Sequence, residues 1–100
     1  MFLYDMEARL TYQLILTRQA EKFLDRLLVG DRAAAQEIRG AIRNLREDPR
    51  PLGYRKLEGV DSSYRIKVKN YRVLYRIDKG QIIVEIFKIG HRREVYKNLK

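Results

Sequence analysis

Residues 64–77 read Tyr64-Arg65-Ile66-Lys67-Val68-Lys69-Asn70-Tyr71-Arg72-Val73-Leu74-Tyr75-Arg76-Ile77, and their spacing decides the fold. Tyr64, Ile66 and Val68 share one parity; Arg65, Lys67 and Lys69 share the other. That is the period of a strand with one buried face. Asn70 marks a turn. Tyr71, Val73, Tyr75 and Ile77 then repeat the pattern, with Arg72 and Arg76 on the opposite parity. Leu74 breaks it, which predicts cover on both faces near the middle of the second strand. Half-exposed hairpins mix the signs of their outward charges, because like charges directly opposite each other destabilise the pair. Here Arg65, Lys67, Lys69, Arg72 and Arg76 carry one sign with no acid among them. The hairpin is expected to face something negative.

The rest of the chain supplies what that hairpin packs against. Residues 12–16 are rich in strand formers, and Thr17 is placed to cap a helix. Ala20, Phe23, Leu24, Leu27 and Leu28 follow helical spacing up to Gly30. Asp31 then caps a second helix. Its apolar stripe is Ala34, Ala35, Ile38, Ala41, Ile42 and Leu45, with Arg39, Arg43 and Arg46 on the flanks. Gly40 weakens that helix by about 1 kcal/mol relative to Ala, which suggests close packing there. Pro49 and Pro51 end it. Residues 52–63 read as a loop, with Leu57 as an anchor and Arg55 and Lys56 adding charge.

After the hairpin, Asp78-Lys79-Gly80 is a turn and residues 81–89 form a third consecutive strand. That strand is almost continuously apolar, as expected when both sides are covered. Residues 92–99 are expected as a short C-terminal helix or tail. The expected fold class is therefore α+β: an N-terminal strand, an antiparallel helix hairpin, then a three-stranded antiparallel meander, with the helices packed on one sheet face. Residues 1–10 read as an N-terminal extension, with Met6 as an alternative start, and residues 11–100 as a single domain.

A chain of 100 residues with 45% hydrophobic content is one compact domain. Lysine and arginine number 22 against 13 acids, a net charge of +9 that calls for a polyanionic partner. There is no cysteine, which excludes disulfides, thiol catalysis and cysteine zinc sites and fits a cytoplasmic location. No apolar run approaches the roughly 20 residues of a membrane span, so no membrane partner is expected. With one histidine, His91, and scattered carboxylates, no metal site or serine triad can be argued, and no cofactor is expected.

An enzyme built from these residues must work with arginine, lysine and tyrosine. RNA cleavage suits that set, because the substrate's own 2′-hydroxyl can serve as nucleophile. The protein then aligns the strand and neutralises charge growing on the phosphorane-like transition state. Clustered cations also lower the pKa of a neighbouring lysine and let it act as a base. The basic stripe, with Lys56 beside it, is the expected RNA surface. Tyr96 is the tyrosine expected to be exposed; Tyr64, Tyr71 and Tyr75 have the parity of the core. In the segment Gly90-His91-Arg92-Arg93-Glu94-Val95-Tyr96, Arg92 lies just after the last strand, where loops carry function. His91 is a candidate imidazole near phosphate.

Four short stretches in order give the chain its resemblance to a known family. They are Leu57-Glu58-Gly59, Tyr64-Arg65-Ile66-Lys67-Val68, Tyr71-Arg72-Val73-Leu74-Tyr75, and Ile89 through Tyr96. Together with the helix hairpin ahead of them, they resemble the RelE/ParE superfamily, the toxin halves of type II toxin–antitoxin pairs. The RelE-like branch is favoured, because Arg72, Arg92 and Tyr96 are kept.

The resemblance implies a microbial-RNase-like fold and an mRNA interferase, an endoribonuclease that cleaves messenger RNA in the ribosomal A site by 2′-hydroxyl attack. It implies catalytic roles for Lys67 as base, Arg72 and Arg92 as phosphate ligands and Tyr96 against the substrate base. Arg65, Lys69, Arg76, His91 and Lys56 would bind RNA. Where the family often has lysine this chain has Arg65, and guanidinium does not deprotonate readily, so the base role falls to Lys67. The stretch between Arg92 and Tyr96 is shorter than in the best-known member. The implied partners are a cognate acidic RelB-like antitoxin, mRNA, the ribosome with its 16S rRNA, and operator DNA reached through the antitoxin. Two alternatives remain open: a ParE-like toxin that poisons DNA gyrase, and a non-catalytic nucleic-acid-binding module.

Overall fold

The computed structural model describes residues 11–99. The expectations for residues 1–10 lie outside them. Each helix starts where the sequence supplies an acceptor for an orphan amide. Thr17 Oγ1 accepts from Ala20 N at 3.3 Å and opens α1, Arg18–Gly30. Asp31 Oδ1 accepts from Ala34 N at 3.2 Å and opens α2, Arg32–Asn44. Ala20 and Leu24 of α1, and Ala34, Ala35, Ile38 and Ile42 of α2, are the residues those helices bury.

The sheet has five strands: β1 Gln13–Leu16, β2 Arg55–Lys56, β3 Ser63–Val68, β4 Tyr71–Asp78 and β5 Ile83–His91. Their spatial order is β1-β5-β4-β3-β2. β1 runs parallel to β5, and the remaining pairs are antiparallel. The connection from β1 to β5 runs through both helices and three other strands, long enough for that one parallel pairing. The principal core lies between helices and sheet: Leu24, Ile38, Ile42 and Leu45 meet Ile66, Val68, Val73, Tyr75, Ile77, Val84, Ile86 and Ile89. The α+β arrangement, the order of elements and the single helix-covered face agree with the sequence pattern.

Several local expectations need correction. The loop before the hairpin contains β2, which pairs Arg55 with Arg65 and Lys56 with Tyr64. β5 begins at Ile83, because Ile82 sits at φ 58° in the turn. Opposite Leu74 and Tyr75, β5 shifts register: Leu74 pairs with Lys88 and Tyr75 with Ile86, so Phe87 is the extra residue of a bulge. The bulge flips parity, which is how Ile86 and Ile89 can both reach the helix-side core. Gly40 admits no close neighbour; an added Cβ would meet only Arg43 Nη2, at 4.0 Å. Of the helix or tail expected there, residues 92–98 form successive turns.

That C-terminal segment makes a second, smaller core on the face away from the helices. Leu57, Leu74 and Val95 are buried there, with Val60, Phe87 and Leu99 packed around them. Leu74 is thus covered on the face its parity predicts, and Leu57 is the anchor of its loop. Val95 lies over Gly90, where a Cβ would come within 3.4 Å of the Val95 side chain. Lys88 Nζ donates to the carbonyl of Lys97 at 2.7 Å and fastens the segment further along. The helix-free face is therefore half covered by the chain's own end.

Candidate nucleic-acid interface

The sheet register carries three of the four sequence-chosen catalytic positions to one end of that half-covered face. Lys67 stands directly opposite Arg72, and Arg72 directly opposite Gly90. Residues opposite each other in an antiparallel pair share a face. Arg92 begins the C-terminal segment two residues beyond Gly90, and its amide donates to the carbonyl of Asn70, in the β3–β4 turn, at 2.8 Å. Glu94 N and Val95 N both donate to the His91 carbonyl, at 3.0 and 2.9 Å, closing a tight turn after Arg92. Val95, seated over Gly90, then fixes where Tyr96 emerges; Tyr96 is 40% exposed.

Arg72 is held by its own turn. Its Nη1 donates to Tyr71 O at 2.9 Å and to Lys69 O at 3.1 Å. Nε and Nη2 have no partner among the described residues, so the guanidinium is positioned by one nitrogen and has two left for an anion. The Lys67 ammonium and the Arg92 guanidinium pair with no acid among the described residues. Three cations near one sheet end with no counter-ion among the described residues are the chemistry that suits an anion such as phosphate.

The proposed RNA-binding residues divide. Arg65 lies on the same face as Lys67, and its Nη1 donates to Gly53 O at 3.4 Å. Lys56 is exposed on β2, at the edge of the sheet. Arg76 is engaged elsewhere: it donates to Glu85 Oε1 at 2.7 Å and its guanidinium lies 4.1 Å over the ring of Phe87. Lys69, in the left-handed region at φ 54°, pairs with Glu37 of α2 at 3.1 Å. His91 stands opposite Tyr71, and its ring packs 4.9 Å from the Tyr71 ring on the helix side of the sheet. The single-sign stripe of the hairpin is therefore interrupted. Glu85 and Glu37 come from elements distant in sequence, so the hairpin's own alternation gave no sign of them. Arg72 and Lys67 remain together, with Arg65 further along β3.

Beside this row opens a cleft of about 700 Å³, lined by Arg55, Leu57, Glu58, Val60, Arg65 and Tyr96 among others. Sequence reasoning placed Arg55 and Glu58 in a loop and gave them no role in the site. The short β2 strand, which brings them beside Arg65, is too brief to leave a periodic signature. At the opposite end of the hairpin, on the helix side, the rings of Tyr54, Tyr64 and Tyr75 pack at tilted angles with successive centroids 5.8 and 5.9 Å apart. Arg50 lies 5.3 Å over Tyr64 and donates to its hydroxyl at 3.4 Å, a hydrogen bond that raises the guanidinium pKa further. This is a packing feature; Tyr75 is wholly buried. Among the described residues no cluster of three histidine, aspartate or glutamate side chains is placed to hold a metal.

Known structures share the fold. A chain of the archaeal RelE–RelB complex from Pyrococcus horikoshii superposes with a TM-score of 0.71 at 26% identity, covering 85% of this chain and 99% of that one. The RelBE2 toxin–antitoxin complex from Mycobacterium tuberculosis matches at 28% identity with a TM-score of 0.64, covering 82% and 99%. A YoeB/ParE toxin from Agrobacterium tumefaciens shares the fold, with a TM-score of 0.70 at 19% identity, covering 79% and 96%. Among curated proteins, none matches the sequence significantly.

These likenesses define a toxin of the RelE/ParE superfamily. The family model described as the ParE toxin of the type II toxin-antitoxin system, parDE, matches residues 14–96, and the chain belongs to that family. No helix among the described residues is long and apolar enough to cross a membrane.

Proposed function

We propose that this toxin is an endoribonuclease that cuts messenger RNA on the ribosome. The observation that carries the reading is the register: Lys67 opposite Arg72, with Arg92 tied to the same turn and no acid among the described residues pairing with Lys67, Arg72 or Arg92. The 2′-oxygen of a ribose attacks the adjacent phosphorus, its bond to the 5′-oxygen of the next nucleotide breaks, and that oxygen takes up a proton from water, giving a 2′,3′-cyclic phosphate and a 5′-hydroxyl end. Lys67 takes the 2′-hydroxyl proton, since a guanidinium does not give up its own. Arg72, through Nε and Nη2, and Arg92 neutralise the phosphorane-like transition state. Tyr96 offers its exposed ring to a base. The ribosome would present the strand in line, a task for which three cations on an open surface are not enough by themselves.

An acidic antitoxin is the natural partner of a chain with net charge +9, and association would be strongly steered by charge. The similar Pyrococcus and Mycobacterium proteins were solved as toxin–antitoxin complexes. The proposed setting is the cytoplasm, with operator DNA contacted through the antitoxin. A second reading, poisoning of DNA gyrase, has the ParE family match in its favour. Mapping transcript ends after induction separates the two. New 5′-hydroxyl ends within coding sequence, lost in Arg72→Ala and Lys67→Ala variants that still fold, support the nuclease. Intact transcripts with DNA-damage signalling refute it in favour of gyrase.

A further inference from the structure

The two residues that join β3 to β4, Lys69 and Asn70, touch both of the arginines assigned to phosphate through their backbone. The Lys69 carbonyl accepts from Arg72 Nη1 at 3.1 Å, and the Asn70 carbonyl accepts from Arg92 N at 2.8 Å. Where those carbonyls point decides where the Arg72 guanidinium sits and where the segment carrying Arg92 starts. Val68 pairs with Tyr71, so this is a two-residue hairpin turn. Lys69, its first residue, has φ 54°. Such turns place glycine, asparagine or aspartate at a first position of positive φ, and a lysine there is strained. Strained residues persist where their surroundings fix them, and they cluster at working sites.

What fixes Lys69 comes from the other layer of the fold. Its Nζ lies 3.1 Å from Glu37 Oε1 of α2. Glu37 adjoins Ile38, which is wholly buried between that helix and the sheet, so the carboxylate is carried on a firmly packed element. A lysine kept only to meet RNA gains nothing from an acid that neutralises it. A lysine kept to hold a turn does, because the pair ties the strained residue to the helix layer. We propose that Glu37 is a positioning residue: through Lys69 it holds the β3–β4 turn in the form that aims Arg72 and Arg92 at a phosphate. The inference rests on the reading of those two arginines as phosphate ligands, and it takes Lys69 out of the set of RNA contacts.

The sign of one substitution separates positioning from charge. Glu37→Gln, at an exposed position, removes a negative charge and keeps the fold. If charge alone counted, the variant would bind an anion more tightly; a positioning role makes it bind more weakly. An exposed ion pair shifts an equilibrium by up to about fivefold, which sets the size of the expected loss. The probe is a short 2′-O-methyl oligoribonucleotide, which has no 2′-hydroxyl to attack, titrated into the full chain while the Arg72 Nε–Hε resonance is followed by NMR. Glu37→Gln should weaken binding by about two- to fivefold and shift that resonance in the free protein. In a Lys69→Gln background it should do neither. Tighter or unchanged binding in Glu37→Gln, or a loss that persists in the Lys69→Gln background, overturns the proposal. Arg72→Ala tells its failure from that of the phosphate reading. If Arg72→Ala loses the probe and Glu37→Gln does not, only the positioning role falls. If wild type and Arg72→Ala bind it equally, or neither binds at millimolar concentration, the phosphate reading falls and the positioning role with it.

Discussion

Replacing Tyr75 with phenylalanine should weaken the fold at neutral pH and make it less sensitive to alkali. The Tyr75 hydroxyl is buried and donates to the carbonyl of Pro49 at 2.6 Å, tying β4 to the end of the helix hairpin. Phenylalanine keeps the ring but leaves that carbonyl without its donor, a loss of about 1–3 kcal/mol for a buried group. Burial also pushes the Tyr75 phenol well above its ordinary value near 10. The raised pKa sets the sign of the pH dependence. Below pH 10 the phenol is neutral in folded and unfolded chains, so the full hydrogen-bond contribution is present. As pH rises past 10 the unfolded chain loses that proton while the folded chain keeps it. Wild-type stability then falls by up to about 1.4 kcal/mol per pH unit through this one group.

A phenylalanine ring in that place cannot ionise, so the gap between wild type and Tyr75→Phe should narrow from pH 10 upward. Urea denaturation at intervals from pH 7 to pH 11.5 measures it, and the other tyrosines cancel because both proteins carry them. A gap that stays constant across that range would show that Tyr75 ionises equally in both states, which would refute the claim that its burial raises the pKa. A variant as stable as wild type at pH 7 would refute the hydrogen bond's importance.

Other variants probe the helix and the second core. Gly40→Ala should stabilise the protein by roughly 0.5–1 kcal/mol, since a Cβ there meets only Arg43 Nη2 at 4.0 Å; a lower melting temperature would contradict this. Val95→Ala removes two methyl groups from a side chain that is 1% exposed. At about 0.8 kcal/mol each, plus the cavity left over Gly90, it should cost about 2 kcal/mol in denaturant unfolding. A loss under about 0.5 kcal/mol would mean the C-terminal segment is not packed as described.

The helix hairpin was legible because its signals are local. Thr17 and Asp31 sit three residues before the amides they cap, and the apolar stripes of α1 and α2 keep helical spacing. The β3–β4 hairpin was legible for the same reason, and Leu74 announced a second covered face by breaking parity. The charge of the hairpin was not. Glu85 and Glu37, which neutralise Arg76 and Lys69, lie on elements whose placement depends on how the sheet and helices pack. The bulge at Phe87 was not legible either, because a strand read as covered on both sides gives no sign that Val84, Ile86 and Ile89 share one face.

Sequence alone therefore determined the two helices, four of the five strands, their order, the buried parity of β3 and β4 and the surplus of positive charge. These depend on contacts between near neighbours and on composition, which do not change with topology. Only the tertiary structure decided which cations stay free. Pairing register set Lys67 beside Arg72, and the return of the chain end over Gly90 brought Arg92 and Tyr96 to the same side. Glu58 gained a place in the cleft by the same route. Ion pairs and clefts form between residues far apart in the chain, and their energies depend on distances that no local pattern records.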